Sequence, residues 1–267
     1  MTSLSELGLG IVAVANRKGG VGKTVSAISL ASGLAKAGYK VLAVDGDPQA
    51  NMSLFFMGAS RDRRGLASLL GDLASGMNPS LDDCLRKGVR RNLDLLPAGE
   101  RNAAARLDEA VMARLSSPFA GLLSSARARY RWIVIDTSPA HGALERVLIA
   151  ASEALIVPLE FQRFSVAGLE SLVAEVAECS AESGRPVRIH ALVFTKAENN
   201  LARVESYRDA FSGFGVPVFE VCKSEYVPKG LERGRTIWES APGSYAAKDY
   251  AAILEKAFVG GAGVGKE

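Results

Sequence analysis

The chain has 267 residues, of which 48% are hydrophobic and 23% charged, with a formal net charge of +3 and a pI near 8.8. That is room for one α/β domain with a large core, and it excludes disordered, collagenous and membrane-spanning classes. The mild positive charge permits contact with nucleic acid without requiring it.

Residues 1–10 are too short and too polar for a secretory signal, so a cytoplasmic protein is expected, with no added domain ahead of the first strand. That strand is Ile11-Val12-Ala13-Val14-Ala15, apolar and β-branched. It runs into Asn16-Arg17-Lys18-Gly19-Gly20-Val21-Gly22-Lys23-Thr24, and residues 25–37 then carry a helical apolar period closed by Gly38. Strand, glycine-rich turn and helix together make a phosphate-binding cradle, because backbone N–H groups and a helix N-terminus converge on one anion. Lys23 would reach the β- and γ-phosphates of ATP, and the Thr24 hydroxyl would hold Mg²⁺. The ordinary G-x-x-x-x-G-K-[ST] pattern is incomplete: Arg17 occupies the first glycine position and Lys18 follows it. Lys18 reads either as one more solvated charge or as a second cation wanted at the phosphates.

The second strand, Val41-Leu42-Ala43-Val44-Asp45, passes into Gly46-Asp47-Pro48-Gln49-Ala50-Asn51. Carboxylates at the C-terminal end of a parallel strand face the crevice where such sheets bind ligands. Asp45 and Asp47 would otherwise be turn formers, a reading the neighbouring loop disfavours. Residues 51–76 read as loop with short helices, Arg61, Arg63 and Arg64 forming a solvated face. A third strand over 93–99 is followed by helices over 103–115 and 119–130. The fourth strand, Trp132-Ile133-Val134-Ile135-Asp136, is a Walker B pattern whose carboxylate would hold Mg²⁺. Ser138, Pro139 and His141 follow, the histidine read as a bystander rather than a general base.

Strands over 154–158, 189–195 and 218–221 alternate with helices over 164–181, 201–214 and 245–258. Each strand is followed by enough chain for a helix, so the fold class is α/β, a doubly wound, mainly parallel sheet of about seven strands with helices on both faces. One ATPase domain over 1–267 is expected, with its core over about 10–258 and a flexible glycine-rich tail over 259–267. In that tail Gly260 to Lys266 imitates the phosphate loop, but Glu267 stands where Ser or Thr is needed, so it is a decoy. Cys84, Cys179 and Cys222 are far apart with no C-x-x-C pair, and read as reduced thiols in or near the core.

The pattern K-G-G-x-G-K-T over Lys18 to Thr24 resembles the deviant Walker A motif of the ParA/MinD class of P-loop ATPases. D-x-D-P-Q-x-N over Asp45 to Asn51 resembles the next signature of that class. Residues 226–239 resemble the corresponding stretch of ParA-type partition ATPases, especially the compact ParF-like ones. The resemblance runs from the first strand to about Lys256; Ser138 departs from the D-x-P-P common in the family.

The resemblance implies a nucleotide site of Lys18, Gly19, Gly20, Val21, Gly22, Lys23, Thr24 and Val25. Lys18 would cross a homodimer interface to the partner's nucleotide, and Asp47 would orient or activate the attacking water. Thr24, Asp136 and Asp45 would serve Mg²⁺, Asp45 through the metal or the water network. Residues 51–76 would lie near the dimer face, and Thr195-Lys196 where the purine base sits. The implied activity is weak Mg²⁺-dependent ATP hydrolysis coupled to dimerisation and non-specific DNA binding. A ParB-like or cargo-adaptor partner would stimulate it, at the nucleoid, for DNA partition or cargo positioning. Backbone-only DNA contact needs clustered cations, and the candidates are Lys196, Arg203, Lys223, Lys229, Arg233 and Arg235. An arginine common in the family near the last segment has no clean counterpart here, with Lys223 or Lys229 in its stead.

Three alternatives share the motif. A MinD-like membrane-associated ATPase needs a basic amphipathic C-terminal helix, yet Lys256 is the one cation over 250–258, so no membrane contact is expected. A nitrogenase-reductase-like ATPase needs a cysteine ligand directly after the Walker B strand, a place that none of Cys84, Cys179 and Cys222 occupies. A biosynthetic amide-forming ligase needs a substrate pocket or extra domain that no segment evidently supplies.

Overall fold

Aliphatic, β-branched runs that are covered on both faces belong in the middle of a parallel sheet, and Ile11–Val14 sits there as β1. The computed structural model describes residues 1–58, 64–99, 108–140, 142–160, 165–197, 211 and 213–260. The other strands are β2 (Val41–Gly46), β3 (Arg86–Arg90), β4 (Leu93–Leu96), β5 (Trp132–Thr137), β6 (Ala154–Leu159), β7 (Arg188–Ala197) and β8 (Val218–Cys222). They form one sheet in the order β3-β4-β2-β5-β1-β6-β7-β8. Every neighbouring pair is parallel except β3 with β4.

Period-two alternation divides the core. Ile11, Ala13, Leu42, Val44, Ile133 and Ile135 bury against one helical layer. That layer comprises α3 (Leu66–Ala74), α5 (Ser116–Ala126), α6 (Ala143–Ala151) and α7 (Ser165–Ser183). Val12, Val14, Val41, Ala43, Trp132 and Val134 bury against the other. There lie α1 (Lys23–Lys36), α2 (Asn51–Met57) and the late helices α8 (Tyr226–Glu232), α9 (Ile237–Ser240) and α10 (Tyr245–Ile253). The expected doubly wound, mainly parallel sheet is therefore present.

The strand count differs from the expected seven. Arg86–Arg90 adds an antiparallel edge strand, half-exposed and cationic, with no apolar alternation to announce it. Its pairing comes from the hairpin to Leu93–Leu96, not from its own side chains. Of the helix expected over 103–115, α4 (Glu109–Ala113) is described, capped by Asp108, whose carboxylate accepts from the Ala110 N–H at 3.0 Å. Residues 103–107, most of the helix expected over 201–214, and Arg61, Arg63, His141 and Arg203 lie outside the described residues. The closing helix ends at Ile253 and continues as a π-helical turn, Leu254–Val259.

The α1 layer closes tightly around Gly33. A Cβ there would stand 2.4 Å from Leu254 Cδ1 and 2.7 Å from the Trp238 ring, whose Nε1–H donates to the Ser29 carbonyl at 2.8 Å. Phe258 packs edge-on to Trp132 with ring centroids 5.2 Å apart. Alanine is the better helix former by about 1 kcal/mol, but overpacking costs about 1–3 kcal/mol. Gly33→Ala should therefore lower unfolding free energy in urea titrations, and a gain would show that the Trp238 and Leu254 side chains yield.

Candidate nucleotide-binding site

The turn after β1 is shaped by two glycines in the left-handed region, Gly20 at φ +77° and Gly22 at φ +88°. Side chains there would be strained. Gly22 is the N-cap of α1 and no side chain caps it, so the first-turn N–H groups suit an anion. The limb upstream is tied down. Asn16 Nδ2 donates to the Pro158 carbonyl at 2.6 Å, while its Oδ1 accepts from the Lys18 N–H at 2.9 Å. Arg17 Nε pairs with Glu175 Oε2 at 3.1 Å, and Nη1 donates to the Ser171 hydroxyl, both on α7. The Thr195 hydroxyl, on β7, donates to the Val21 carbonyl at 2.8 Å. Lys23, nearly buried, turns inward and donates from Nζ to the Lys18 carbonyl at 3.0 Å.

The acids come from the neighbouring strands. Asp45 and Asp136 are register partners on β2 and β5. Alternation places both on the α1 face, in line with Val41 and Ala43 and with Trp132 and Val134. Asp45 Oδ2 accepts from the Ser53 N–H at 2.7 Å and its hydroxyl at 2.5 Å, and Oδ1 accepts from the Asp47 N–H at 3.2 Å. Burial outweighs these bonds and pushes the Asp45 carboxyl up to about 6. Asp47 is buried and its Oδ1 accepts from the Gln49 N–H at 2.8 Å.

Asp136 is fully buried, and among the described residues neither carboxylate oxygen completes a hydrogen bond. The Thr24 hydroxyl lies close enough to favour its charged form without reaching bonding geometry, while burial and Asp45 hold the carboxyl well above its usual range. Burial lowers Lys23, with Asp136, Glu145 and Asp47 opposing it. An orphaned carboxylate beside a hydroxyl, under a helix N-terminus, is the hard-oxygen donor set that suits Mg²⁺ bridging to phosphates. These residues fit the metal and the nucleotide.

The expected DNA-facing cations divide. Lys196, itself at φ +54°, donates from Nζ to the Gly20 carbonyl at 2.9 Å and so belongs to the nucleotide loop. Lys223, Lys229, Arg233 and Arg235 are exposed on the stretch from the end of β8 to α9. Lys229 pairs with Glu225 at 2.9 Å. Arg90 of β3 joins them, donating from Nη2 to the Gly234 carbonyl at 2.7 Å.

Sequence reading overlooked Glu145 and Glu160. Glu145, on α6, is buried with both oxygens unpartnered, and burial followed by Glu175 raises its carboxyl to about 8. The available signal was an acid within the apolar stripe that includes Leu148 and Ile149. A carboxyl raised on folding takes up protons, so its stabilising contribution is complete below its unfolded value near 4.5 and is lost as pH climbs through about 8. Glu145→Gln should accordingly flatten the decline of stability across that window by about 2–4 kcal/mol, read by urea unfolding at successive pH values. A decline as steep as in the unaltered chain would remove Glu145 as its source. Asp136→Asn should stabilise the nucleotide-free protein by about 1–2 kcal/mol yet abolish the extra melting shift that Mg²⁺ adds to ADP. Retention of that shift would argue against the metal role.

The profile of the AAA domain family (AAA_31) matches residues 9–189. Chromosome partitioning protein ParA of Caulobacter vibrioides is 30% identical over 215 residues, covering 79% of each chain. Sporulation initiation inhibitor protein Soj of Bacillus subtilis is 26% identical over 219 residues, covering 82% of this chain and 81% of Soj. Among solved structures, the ATP complex of a variant McdA from Cyanothece superposes with a TM-score of 0.78 at 19% identity, covering 92% of this chain and 95% of that one. MinD of Pyrococcus horikoshii with Mg-ADP gives 0.73 at 21%, covering 92% and 95%. At those identities the superpositions establish the fold. The phosphate loop with its paired lysines, the two strand-end aspartates and a ParA relative across most of the chain together make this protein a member of the ParA/MinD class of P-loop ATPases.

Proposed function

We propose that this chain is a ParA-type molecular switch. It dimerises on ATP and Mg²⁺, binds DNA without sequence preference in that state, and is reset by slow hydrolysis that a cargo-bound partner protein accelerates. The observation that carries the reading is the divergence of two lysines in one loop. Lys23 is buried and turned inward to the Lys18 carbonyl, whereas the Lys18 side chain is 43% exposed at the mouth. An inward cation serves its own phosphates; an outward one on the same loop can reach a second subunit's once it leaves its own-chain partner Glu160.

In this scheme Lys23 pairs with the β- and γ-phosphates, and Thr24 and Asp136 hold Mg²⁺. When bound, the metal supplies positive charge across the phosphate oxygens. Asp47, on the buried turn beside Asp45, orients the attacking water, while Asp45 and Ser53 brace that turn. Phosphoryl transfer requires little beyond such positioning and charge neutralisation, which is why a partner that adds either speeds it. The exposed Lys223, Lys229, Arg233 and Arg235, with Arg90 beside them, offer the clustered cations that backbone-only DNA contact uses. Support for a DNA cargo also comes from the ParA relative, a chromosome partitioning protein. The described C-terminal residues speak against lipid docking, since Leu254, Ala257 and Phe258 are buried in the core. Cys84, Cys179 and Cys222 stand on three separate elements, which disfavours a shared cluster.

Lys18→Ala should weaken ATP-dependent dimerisation at least about tenfold while changing ADP affinity less than about twofold. Asp47→Ala should keep the dimer and lower turnover about 100-fold. Sedimentation velocity and a phosphate-release assay separate the two, and equal loss of nucleotide affinity in both would overturn the role assignment. DNA binding should require ATP and fall steeply with salt; binding indifferent to both would overturn the DNA reading.

A further inference from the structure

The exposed lysine at the loop mouth already has an acidic neighbour within its own chain. Glu160 follows directly on β6, and its carboxylate lies between two lysines from different parts of the fold. Lys18 Nζ stands 3.8 Å from Oε2, and Lys196 Nζ stands 2.5 Å from Oε1. The same Lys196 ammonium donates to the Gly20 carbonyl at 2.9 Å, so the pair is fastened to the phosphate loop itself. Lys196 reaches this position from a left-handed backbone, φ +54°, a conformation that costs a non-glycine residue energy and persists when surrounding contacts over-determine it. Glu160 is the better buried partner, its side chain 18% exposed against 43% for Lys18 and 56% for Lys196.

One ammonium cannot serve a carboxylate of its own chain and the phosphates of a second subunit at once. We propose that Glu160 is a positioning residue that holds Lys18 within its own subunit, so that release from Glu160 sets the protein concentration at which the ATP-bound dimer forms. This rests on the dimer-switch reading and adds its threshold. Lys196 keeps the Glu160 carboxylate at the loop, which ties the restraint to the loop's own position. Both subunits must free their Lys18 to form the dimer, so the effect enters squared. A partly exposed pair worth about threefold therefore moves the dimerisation midpoint about tenfold.

The test compares Glu160→Gln, which keeps shape and removes charge, with Glu160→Asp, which keeps charge. Sedimentation velocity with a non-hydrolysable ATP analogue and Mg²⁺ reads the monomer–dimer midpoint, and fluorescent ADP reads affinity in the monomer. Glu160→Gln should dimerise at about tenfold lower protein concentration with ADP affinity unchanged, and Glu160→Asp should stay near the unaltered chain. The gain should vanish in Glu160→Gln combined with Lys18→Ala, and shrink at about 0.5 M salt, where exposed pairs are screened. A midpoint unchanged or raised in Glu160→Gln, or a gain that survives loss of Lys18, would overturn the restraint alone. Absence of any ATP-dependent dimer in the unaltered chain and in Glu160→Gln alike would overturn the dimer-switch reading together with it.

Discussion

The parallel pairing of β2 with β5 sets the separation of the two carboxylates on which the site depends. Because Asp45 and Asp136 are register partners one strand spacing apart, they emerge together on the face that α1 covers. Like charges that close, both buried, disfavour ionisation of each other, and the fold counters with Ser53 on Asp45 and with Lys23 near Asp136. A one-residue slip between the strands would turn one acid to the opposite helical layer. The hydrophobic partition into Val41, Ala43, Trp132 and Val134 on one side and Leu42, Val44, Ile133 and Ile135 on the other prevents that slip. Core packing and site chemistry therefore share one constraint.

The site is electrostatically unfinished in the free chain. Among the described residues neither Asp136 nor Glu145 has a donor, and Lys23 rests on a backbone carbonyl. Each is a costly way to bury a polar group. Such costs are retained where ligand charge completes the arrangement, and a cation with its polyphosphate would supply what Asp136 and Lys23 lack.

The loop itself is a rigid device gripped from three directions. Asn16 ties it to the end of β6, Arg17 to α7 and Thr195 to β7. Arg17, anomalous as an occupant of a glycine position in the ordinary motif, makes sense as the anchor to Glu175, a buried carboxylate that needs a cation. With the backbone fixed on both sides of Lys18, that side chain's direction becomes a property of the fold.

Local sequence determined the phosphate loop, the strand-end aspartates, the fold class and the family resemblance. Each of these depends on residues adjacent in the chain or on a short period, so spacing alone reveals them. The edge strand Arg86–Arg90 was not legible because a half-exposed cationic segment pairs by its backbone, and side-chain pattern carries no trace of that. Glu145 left only a faint sign, and Glu160 none, because what matters for each comes from tertiary packing: burial and Glu175 of α7 for the first, and Lys18 and Lys196 for the second. Lys196 carries two expectations, one beside the nucleotide and one with the late basic residues, and the sheet order, which delivers the end of β7 to the phosphate loop, favours the first. Sequence set which groups bear charge; the doubly wound order of the strands decided which of those charges meet, because only the side-by-side pairing of distant strands in one open sheet brings five strand ends to one crevice.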